Sequence, residues 1–469
     1  MKDSYKLIII GGGAGGFAAA IKANEFNIDT LMINSGLPLG GTCVNVGCIP
    51  SKYMIENAEY IFESKNPRFD SIKIKNVQFD FEDIVNSQLN IVDNMRNEKY
   101  EQVLRKLSHV DFLEGEASFI SENEIEISGK EIKGEKFVIA TGSKAKFLNV
   151  EGVENIDYMT HIEALHLKEL PPKLAIIGGG AIGVEFAQMF SHFGSKVTLI
   201  TRGDRLIKET EPDISEYLEK YFKEDGIDII KNGKISKFKK NEDGTGQAFV
   251  ENSDGKSEIV FDKVLFAIGK NPNIESLNLN KVNVDISEDR SIKVNKYLQT
   301  SNPNIYAVGD VVDLQKRMET TAGREGSLAV LNIIQGNHSF INYDEVPYAI
   351  FATPSIAGVG LRDEDVPQTN LNCSCLSLTL DKVPKASLIG DTRGYIKMVI
   401  NHDTKKILGI HLISKDAVDI IHEAVMIVKN KMTVSEVADT IHIFPTLSEV
   451  IKLVAQSYIS HLASISCCI

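Results

Sequence analysis

Two apolar stretches of the chain are each followed by a glycine-rich turn and then by a helical pattern. Lys6 to Ile10 has the pattern of a buried strand, GGGAGG follows it, Ala14 to about Phe26 has helical character, and Thr30 to Ile33 forms a second strand. The same succession of strand, glycine turn, helix and strand recurs from Leu174 to Ile200. Because the two copies lie too far apart for a solenoid repeat, they indicate two related α/β domains.

The rest of the chain has a different pattern, which sets the expected domain boundaries. A segment that ends in two adjacent prolines, Lys144 to Pro172, separates the repeated units, and short strands and turns follow Asn271. From Pro347 onward, strand-like runs precede a helical stretch at Ala417 to Lys429. We therefore predict an α/β fold with two Rossmann-like dinucleotide-binding domains and a C-terminal α+β domain. The expected boundaries are 1–145 for the first part of the first domain, 146–271 for the second domain, 272–346 for the remainder of the first domain and 347–469 for the C-terminal domain.

Composition and charge exclude several classes of protein. The chain has 469 residues, which at usual domain sizes corresponds to about three domains. Its net charge of −13 argues against a nucleic-acid or anionic-membrane partner, since both select an excess of Lys and Arg. No apolar run approaches the roughly 18 residues of a membrane-spanning helix, and the first apolar run is too short for a signal peptide. We therefore expect a cytoplasmic protein.

Each glycine-rich turn carries the spacing G-x-G-x-x-G between a strand and a helix. The first glycine permits the sharp bend, the second lets the backbone approach a pyrophosphate, and the third lets the helix pack on the strand. The phosphates then lie at the helix N-terminus, where free N–H groups and the helix dipole favour negative charge. One such turn is weak evidence, but two copies in the same context predict two dinucleotides, FAD and a nicotinamide nucleotide. The predicted positions are Gly11, Gly13 and Gly16 in the first turn and Gly178, Gly180 and Gly183 in the second.

The residue that closes the second strand of each unit indicates which dinucleotide binds. An acid there binds a ribose hydroxyl; the first unit has Asn34, which can also bond a hydroxyl but carries no charge. The second unit has Thr201, with Arg202, Arg205 and Lys208 close behind it. An acid would repel a ribose 2′-phosphate, whereas arginines bind it through forked hydrogen bonds. The second site is therefore predicted to bind NADPH; the alternative is that these cations only cover a solvated loop.

The six cysteines fall into three close pairs, which is typical of catalytic or metal-binding thiols rather than of a disulfide scaffold. Cys43 and Cys48 lie in the string GGTCVNVGCIPSK. Positions at this spacing share a helix face poorly, but a helix start with a distorted turn brings them within disulfide range, and a helix N-terminus lowers a thiol pKa. The alternative is a pair of small buried thiols. Cys373 and Cys375 have strand spacing, and we expect them to be packed strand thiols.

Several strings place the chain in a known family. GGTCVNVGCIPSK is the most specific of them, and the others are ATGS at Ala140–Ser143, AIGKNPN at Ala267–Asn273, NIYAVGD at Asn304–Asp310 and FPTLSE at Phe444–Glu449. Through them nearly the whole chain resembles the pyridine nucleotide-disulfide oxidoreductases, which include glutathione reductase, dihydrolipoamide dehydrogenase and mercuric reductase. The resemblance implies FAD in the first domain and a homodimer formed by the C-terminal domain.

The resemblance also implies roles for individual residues. Cys48 would lie against the flavin as the charge-transfer thiolate, and Cys43 would be the exposed interchange thiol. Lys52 and Glu185 would pair near the reactive nitrogen of the flavin, and Asp310 would bond the ribityl chain. The alternative for the charged residues is an ordinary place on a surface or helix. The matching strings add Gly41, Thr42, Thr141 and Gly142 as further FAD-binding positions.

One substitution weakens an organic disulfide as the substrate. Dihydrolipoamide dehydrogenases carry a histidine immediately before the proline of the last matching string, where it handles the thiol proton of the substrate. Here that position is Phe444, which cannot carry a proton, and Glu449 has no imidazole to orient. His442 lies two residues earlier, and we interpret it as a structural or surface histidine.

The end of the chain favours a metal as the substrate. Cys467 and Cys468 are adjacent, which suits them poorly to a disulfide with each other but well to the capture of a soft metal ion. This tail resembles that of mercuric reductases; the alternative is a pair of adventitious thiols. Two departures concern Ala181 and Phe444, where mercuric reductases commonly have tyrosines near the metal path.

The combined prediction is an NADPH-dependent mercury(II) reductase that uses FAD. Mercury(II) would be bound by Cys43 and Cys48 and delivered by Cys467 and Cys468. We expect no separate metal-trapping domain before the first strand. One alternative is another FAD-dependent disulfide reductase, such as dihydrolipoamide dehydrogenase. An alternative of a different class is a flavoprotein that buffers metal or senses redox state without turnover.

Overall fold

The N-terminal part of the protein contains the first predicted strand–turn–helix–strand unit. The structure is a computed structural model that describes residues 2–253, 255–314 and 316–459. The elements of this part are β1 (Ser4–Ile10), α1 (Ala14–Glu25), β2 (Thr30–Asn34), α2 (Gly41–Val46), α3 (Cys48–Lys65), α4 (Phe81–Arg96), α5 (Gln102–Leu104), β3 (Val110–Glu114), β4 (Ala117–Ser121), β5 (Glu124–Ile127), β6 (Lys130–Ile139) and β7 (Ser143–Ala145). A short π-helix at Asn97–Glu101 joins α4 to α5.

The second repeated unit forms a parallel sheet with an antiparallel meander beside it. Its elements are β8 (Tyr158–Met159), α6 (His161–Ala164), β9 (Lys173–Ile177), α7 (Ala181–Phe193), β10 (Lys196–Ile200), α8 (Pro212–Glu224), β11 (Asp228–Ile230), β12 (Lys234–Lys240), β13 (Gly246–Asn252), β14 (Gly255–Phe261), β15 (Lys263–Phe266) and β16 (Lys270–Pro272). The parallel sheet has the order β11-β10-β9-β15-β8, and the meander has the order β12-β13-β14. A two-stranded ribbon of β16 and β7 leads back to the first domain.

The chain then completes the first domain with β17 (Ile305–Ala307) and α9 (Glu319–Gln335). Strand β17 pairs in parallel with β6, so the first sheet has seven strands in the order β3-β2-β1-β6-β5-β4, with β17 also on β6. Helix α9 crosses α1 closely, because Gly15 and Gly326 face each other at the contact. Both dinucleotide-type domains of the predicted α/β fold are therefore present.

The C-terminal part has the predicted α+β character. Its elements are β18 (Tyr348–Ile350), β19 (Ser355–Gly360), β20 (Cys373–Thr379), α10 (Pro384–Leu388), β21 (Tyr395–Asn401), β22 (Ile407–Ser414), α11 (Ala417–Lys429), α12 (Val434–Asp439) and α13 (Glu449–Ile459). The strands form one antiparallel sheet in the order β18-β19-β22-β21-β20, and its helices share an apolar core with it. Within the described residues, no helix is both long and apolar enough to cross a bilayer.

The parallel strands of the first domain place three loops beside one another. Leu7 to Ile10 in β1 are at most 4% exposed, as expected for a strand covered on both faces. β1 pairs in parallel with β6, and β6 with β17. The glycine turn after β1, the ATGS loop after β6 and Gly309–Asp310 after β17 therefore lie at the same edge of the sheet, where ligands of open α/β sheets bind.

The contact between α1 and α9 generates a stability prediction with a matched control. A Cβ at Gly326 would lie 2.0 Å from the carbonyl oxygen of Gly15, whereas a Cβ at Gly323 would meet nothing closer than the Cβ of Ala18 at 4.0 Å. We expect Gly326→Ala to force the helices apart and cost about 1–3 kcal/mol of stability. Gly323→Ala in the same helix should be neutral or stabilising. Thermal unfolding of the two variants measures the difference; equal Tm values would contradict the assigned helix contact.

Candidate active site

The two glycine turns share one geometry, in which the outer glycines are required by the backbone. Gly11 has φ of +122°, and a Cβ there would lie 2.2 Å from the carbonyl oxygen of Ala140, while one at Gly16 would lie 1.9 Å from that of Gly11. Gly178 and Gly183 repeat these clashes at 2.1 and 1.8 Å. Neither helix that follows has a side-chain cap on its first turn, so backbone N–H groups remain there for an anion.

The middle glycine of each turn faces open space. A Cβ at Gly13 would come no closer than 3.8 Å to another atom, and one at Gly180 would have no neighbour within 4 Å. A pyrophosphate can therefore approach the backbone at both positions, as the predicted roles require. The residues present fit two dinucleotides.

Asn34, which closes β2, and Thr201, which follows β10, form hydrogen bonds with nearby backbone groups. Asn34 Oδ1 accepts a hydrogen bond from the Gly12 N–H at 3.1 Å, and its Nδ2 donates to the carbonyl of Leu37. Thr201 Oγ1 accepts from the Gly203 N–H. The Asn34 amide is thus largely occupied within the protein, and its predicted bond to a ribose hydroxyl would use its remaining acceptor capacity.

The three predicted phosphate-binding cations differ in their surroundings. Arg202 and Lys208 are exposed. Arg205 instead donates from Nη2 to both carboxylate oxygens of Glu364 in the C-terminal domain, at 2.7 Å each. Arg205 therefore holds its loop against the C-terminal domain. Lys208 lies 3.5 Å from Asp204 within the loop, which leaves Arg202 as the loop cation without an ion-pair partner among the described residues.

The loops at the carboxyl edge of the first sheet are joined to each other. Thr141 Oγ1 donates to the carbonyl of Asn273 at 2.6 Å, and the Asn273 side chain donates back to the carbonyl of Thr141. Gly142 has φ of +67° and no neighbour at its Cβ position within 4 Å. Asp310 accepts a hydrogen bond from Ser143 at 2.7 Å. The predicted FAD-binding residues Thr141, Gly142 and Asp310 are thus brought together.

A glycine between two helices positions the thiol pair. Cys43 lies in α2 (Gly41–Val46), one residue after Thr42; Gly47 follows this helix, and Cys48 begins α3. A Cβ at Gly47 would lie 2.8 Å from the carbonyl oxygen of Thr42, so the chain can reverse tightly only with glycine there. The predicted distorted turn is therefore a break between two helices. It brings the two Sγ atoms within 4.8 Å of each other, here as free thiols. Cys48 is exposed and Cys43 is half-buried, because Cys43 lies inside α2 and Cys48 is the first residue of α3, so the expectation of Cys43 as the exposed thiol of the pair is wrong.

The predicted pair of charges lies beside the thiols. Lys52 Nζ is 2.7 Å from Glu185 Oε2, and Glu185 also accepts the N–H of Phe351 at 2.9 Å. A hydrogen bond from Cys43 and the charge of Lys52 lower the pKa of Cys48 to about 7. The same hydrogen bond and burial raise the pKa of Cys43 far above its usual range. Cys48 is therefore the thiolate of the pair, in keeping with the charge-transfer role that the resemblance implies.

Two residues at the thiols were missed by the sequence analysis. Glu319, the first residue of α9, and Tyr100, in the π-helix, both neighbour Cys43. Burial, together with Glu319 and Cys43, raises the pKa of Tyr100 to about 12. Neither residue lies in a recognisable motif, so no signal in a single sequence could have identified it.

The C-terminal region holds the remaining predicted residues. Phe444 is half exposed, and Ile441 and Ile443 beside it are 94% and 81% exposed. His442 lies 2.7 Å from Glu423, which raises the pKa of the imidazole, in line with a structural role. Glu449 is buried, and burial raises its pKa. Cys467 and Cys468 lie outside the described residues.

Cys373 and Cys375 lie on one face of the edge strand β20. The thiol of Cys375 is 3.0 Å from Asp363, and burial and this carboxylate raise its pKa to about 12. Such thiols are protonated and unreactive at neutral pH. The interpretation of packed strand thiols agrees with this placement.

A thiol pair beside two dinucleotide sites defines an oxidoreductase that uses FAD and NAD(P)H. The chain belongs to the pyridine nucleotide-disulphide oxidoreductase family, whose main domain matches residues 5–326 and whose dimerisation domain matches residues 346–455. Mercuric reductase of Lysinibacillus sphaericus is 35% identical over 467 residues, which cover 100% of this chain and 85% of that protein. Mitochondrial dihydrolipoyl dehydrogenase of Pisum sativum is 29% identical over 462 residues, which cover 97% of this chain and 91% of that protein.

A solved structure has the same fold. The Cu(II) complex of the HOCl-induced flavoprotein disulfide reductase RclA from Escherichia coli superposes with a TM-score of 0.86 at 27% identity. The match covers 97% of this chain and 100% of that one.

The charges around Cys48 give opposite predictions for two variants. In the reduced enzyme, the alkylation rate of Cys48 should rise with pH to a midpoint of about 7. Lys52→Met removes the cation that stabilises the thiolate and should move the midpoint to higher pH. Glu185→Gln removes a carboxylate that opposes the thiolate and should move it to lower pH. Labelling with iodoacetamide and mass spectrometry at Cys48 gives the midpoints, and shifts in the same direction would contradict this charge arrangement.

Proposed function

We propose that this protein reduces mercury(II) to elemental mercury with NADPH as the electron donor. For thiol-bound mercury the balanced reaction is Hg(SR)2 + NADPH + H+ → Hg0 + NADP+ + 2 RSH. The observation that carries the proposal is a thiol pair in a chain whose last matching string has Phe444 where dihydrolipoamide dehydrogenases have a histidine. A metal ion bound by two thiolates needs no proton carrier of the kind that an organic disulfide requires. The mercuric reductase relatives support the same substrate.

The chain's own residues have separate tasks in this scheme. FAD, when bound, supplies the electron path between the nicotinamide and the thiol pair. Gly11, Gly13 and Gly16 would hold its pyrophosphate, and Asp310 would bind its ribityl chain. Cys43 and Cys48 bind mercury(II) as a dithiolate, because soft cations prefer thiolate ligands.

The second domain holds NADPH through the second glycine turn. Gly178, Gly180 and Gly183 approach its pyrophosphate as their counterparts do in the first turn. Arg202 and Lys208 face its 2′-phosphate, and Arg205 positions their loop through Glu364.

The working form is proposed to be a homodimer. Ile441, Ile443 and Phe444 form an exposed apolar patch in the domain that matches the family's dimerisation domain, and such patches mark contact surfaces. In this dimer Cys467 and Cys468 would deliver mercury(II) to the thiol pair. Delivery by ligand exchange between thiolates never releases a free ion.

One assay tests the substrate. NADPH oxidation is followed with mercury(II) in excess small thiol, with lipoamide, with copper(II) and with no acceptor, and elemental mercury is detected as vapour. We expect turnover with mercury(II) and its loss in Cys43→Ser and in Cys48→Ser. Turnover of lipoamide without mercury-dependent oxidation would identify a disulfide reductase instead. Flavin that NADPH does not reduce would indicate a protein that binds metal without turnover.

We predict nucleotide preference from Arg202, the cation of the loop after β10 that has no ion-pair partner among the described residues, whereas Lys208 is paired with Asp204. Arg202→Ala should lower kcat/KM for NADPH by about 10- to 100-fold, the value of one charge-assisted contact, and leave that for NADH nearly unchanged. Arg205→Ala is the matched control: because its guanidinium binds Glu364, it should change NADPH and NADH use alike. Steady-state kinetics with both nucleotides measure this. Better use of NADH by the wild type would contradict the assignment.

A further inference from the structure

A carboxylate from a distant part of the chain lies next to the thiol pair. The Sγ atoms of Cys43 and Cys48 and a carboxylate oxygen of Glu319 all lie within 4.8 Å of one another. Among residues 2–253, 255–314 and 316–459, no other group of three His, Cys, Asp or Glu side chains is spaced closely enough to share a metal ion. Glu319 begins α9 and Cys48 begins α3, so the helix starts of two separate elements converge on this point.

Within the part of the chain that the structure describes, Glu319 forms no ion pair. Two side chains beside it, those of Cys43 and Tyr100, carry no positive charge. The charge of Lys52 stabilises the thiolate of Cys48. The Lys52 ammonium is paired with Glu185 at 2.7 Å and lies over the ring of Phe351. Reduction of the thiol pair adds thiolate charge beside the Glu319 carboxylate, and like charges at this separation repel. A divalent cation bound between them would remove the repulsion.

Two sulfurs and one oxygen suit a particular class of cation. Zn2+ is bound by cysteine sulfur and carboxylate oxygen in a tetrahedron, and sites with three protein ligands leave the fourth position open. In such a tetrahedron the ligand atoms lie about 3.5–4 Å apart, so the present spacing needs only small side-chain adjustments. Mercury(II), a softer cation, is satisfied by the two thiolates alone.

We propose that Glu319 is a third ligand beside Cys43 and Cys48, and that the reduced enzyme binds Zn2+ and similar divalent cations through these three residues. Glu319 thereby determines which metals the thiol pair accepts. A bound Zn2+ takes up no electrons, so it competes with mercury(II) and inhibits turnover. The inference rests on the proposed function only in that the opened thiol pair binds metal ions.

The test measures metal binding and not turnover. The disulfide of the FAD-loaded enzyme is opened anaerobically with a phosphine, the phosphine is removed, and Zn2+ is partitioned between the enzyme and a coloured zinc chelator. All proteins carry Cys467→Ser and Cys468→Ser, so that tail thiols do not contribute. Glu319→Gln should bind Zn2+ at least about 10-fold more weakly. Binding of mercury(II) in competition with a small thiol should be unchanged.

Two controls separate ligation from charge. Asp313→Asn removes an exposed carboxylate from the segment before α9 and should leave Zn2+ binding as it is. The double variant Cys43→Ser, Cys48→Ser measures how much Zn2+ binds elsewhere in the protein, for example at Cys373 and Cys375. Equal weakening of Zn2+ and mercury(II) by Glu319→Gln would overturn the proposal, because loss of charge alone affects both dications alike. Unchanged Zn2+ binding would also overturn it.

These outcomes are independent of the proposed reaction. If Zn2+ binding depends on Glu319 but mercury(II) does not promote NADPH oxidation, the proposed substrate is wrong and the metal site stands. If mercury(II) is reduced and Zn2+ binding is unchanged in Glu319→Gln, the proposed substrate stands and the three-ligand metal site is wrong.

Discussion

The parallel pairing of β1, β6 and β17 is the constraint on which the first cofactor site depends. These strands run in the same direction, so the loops that follow them open at one edge of the sheet. Only glycine fits at Gly11 and Gly16, because a Cβ at either position would overlap a backbone carbonyl. The positions of the first glycine turn and of the Asp310 carboxylate are therefore fixed by the strand register. β17 follows the second domain in the sequence, so the residues of this site come from both sides of that domain.

The two thiols beside this sheet edge have pKa values shifted in opposite directions. Cys48 begins a helix and is influenced by Lys52, while Cys43 is half-buried beside Glu319. Opposite shifts of two neighbouring pKa values assign different tasks to chemically identical groups. The lowered pKa places the thiolate at Cys48, and the raised pKa of Cys43 favours its protonated form. The break at Gly47 allows this difference, because it leaves Cys43 inside one helix and places Cys48 at the N-terminus of the next.

The sequence predicted the elements whose signals are local. The strand–glycine–helix units were visible because apolar runs, glycine spacing and helix patterns coincide within about 30 residues. The pairing of Lys52 with Glu185 was available only through resemblance, since 133 positions separate the two residues. Glu319 was not predicted, because its position at the thiols follows from the packing of α9 and not from its neighbours in sequence. From sequence, Arg205 is predicted to bind a phosphate. Its ion pair with Glu364 could not be predicted, because that carboxylate lies in another domain.

The ion pair of Arg205 with Glu364 belongs to a larger contact between the second domain and the C-terminal domain. Lys397 on β21 lies 2.5 Å from Asp213 and 3.1 Å from Asp363, and 3.5 Å from the fully buried Glu211. Of the three carboxylates only Glu211 is buried, so Lys397 matters most as its counter-charge, whereas Asp213 and Asp363 are 41% and 43% exposed and their attraction to Lys397 is screened by solvent. The loop that carries Arg202, Arg205 and Lys208 runs directly into this cluster at the start of α8. The domain that matches the family's dimerisation domain therefore helps to fix the position of this loop.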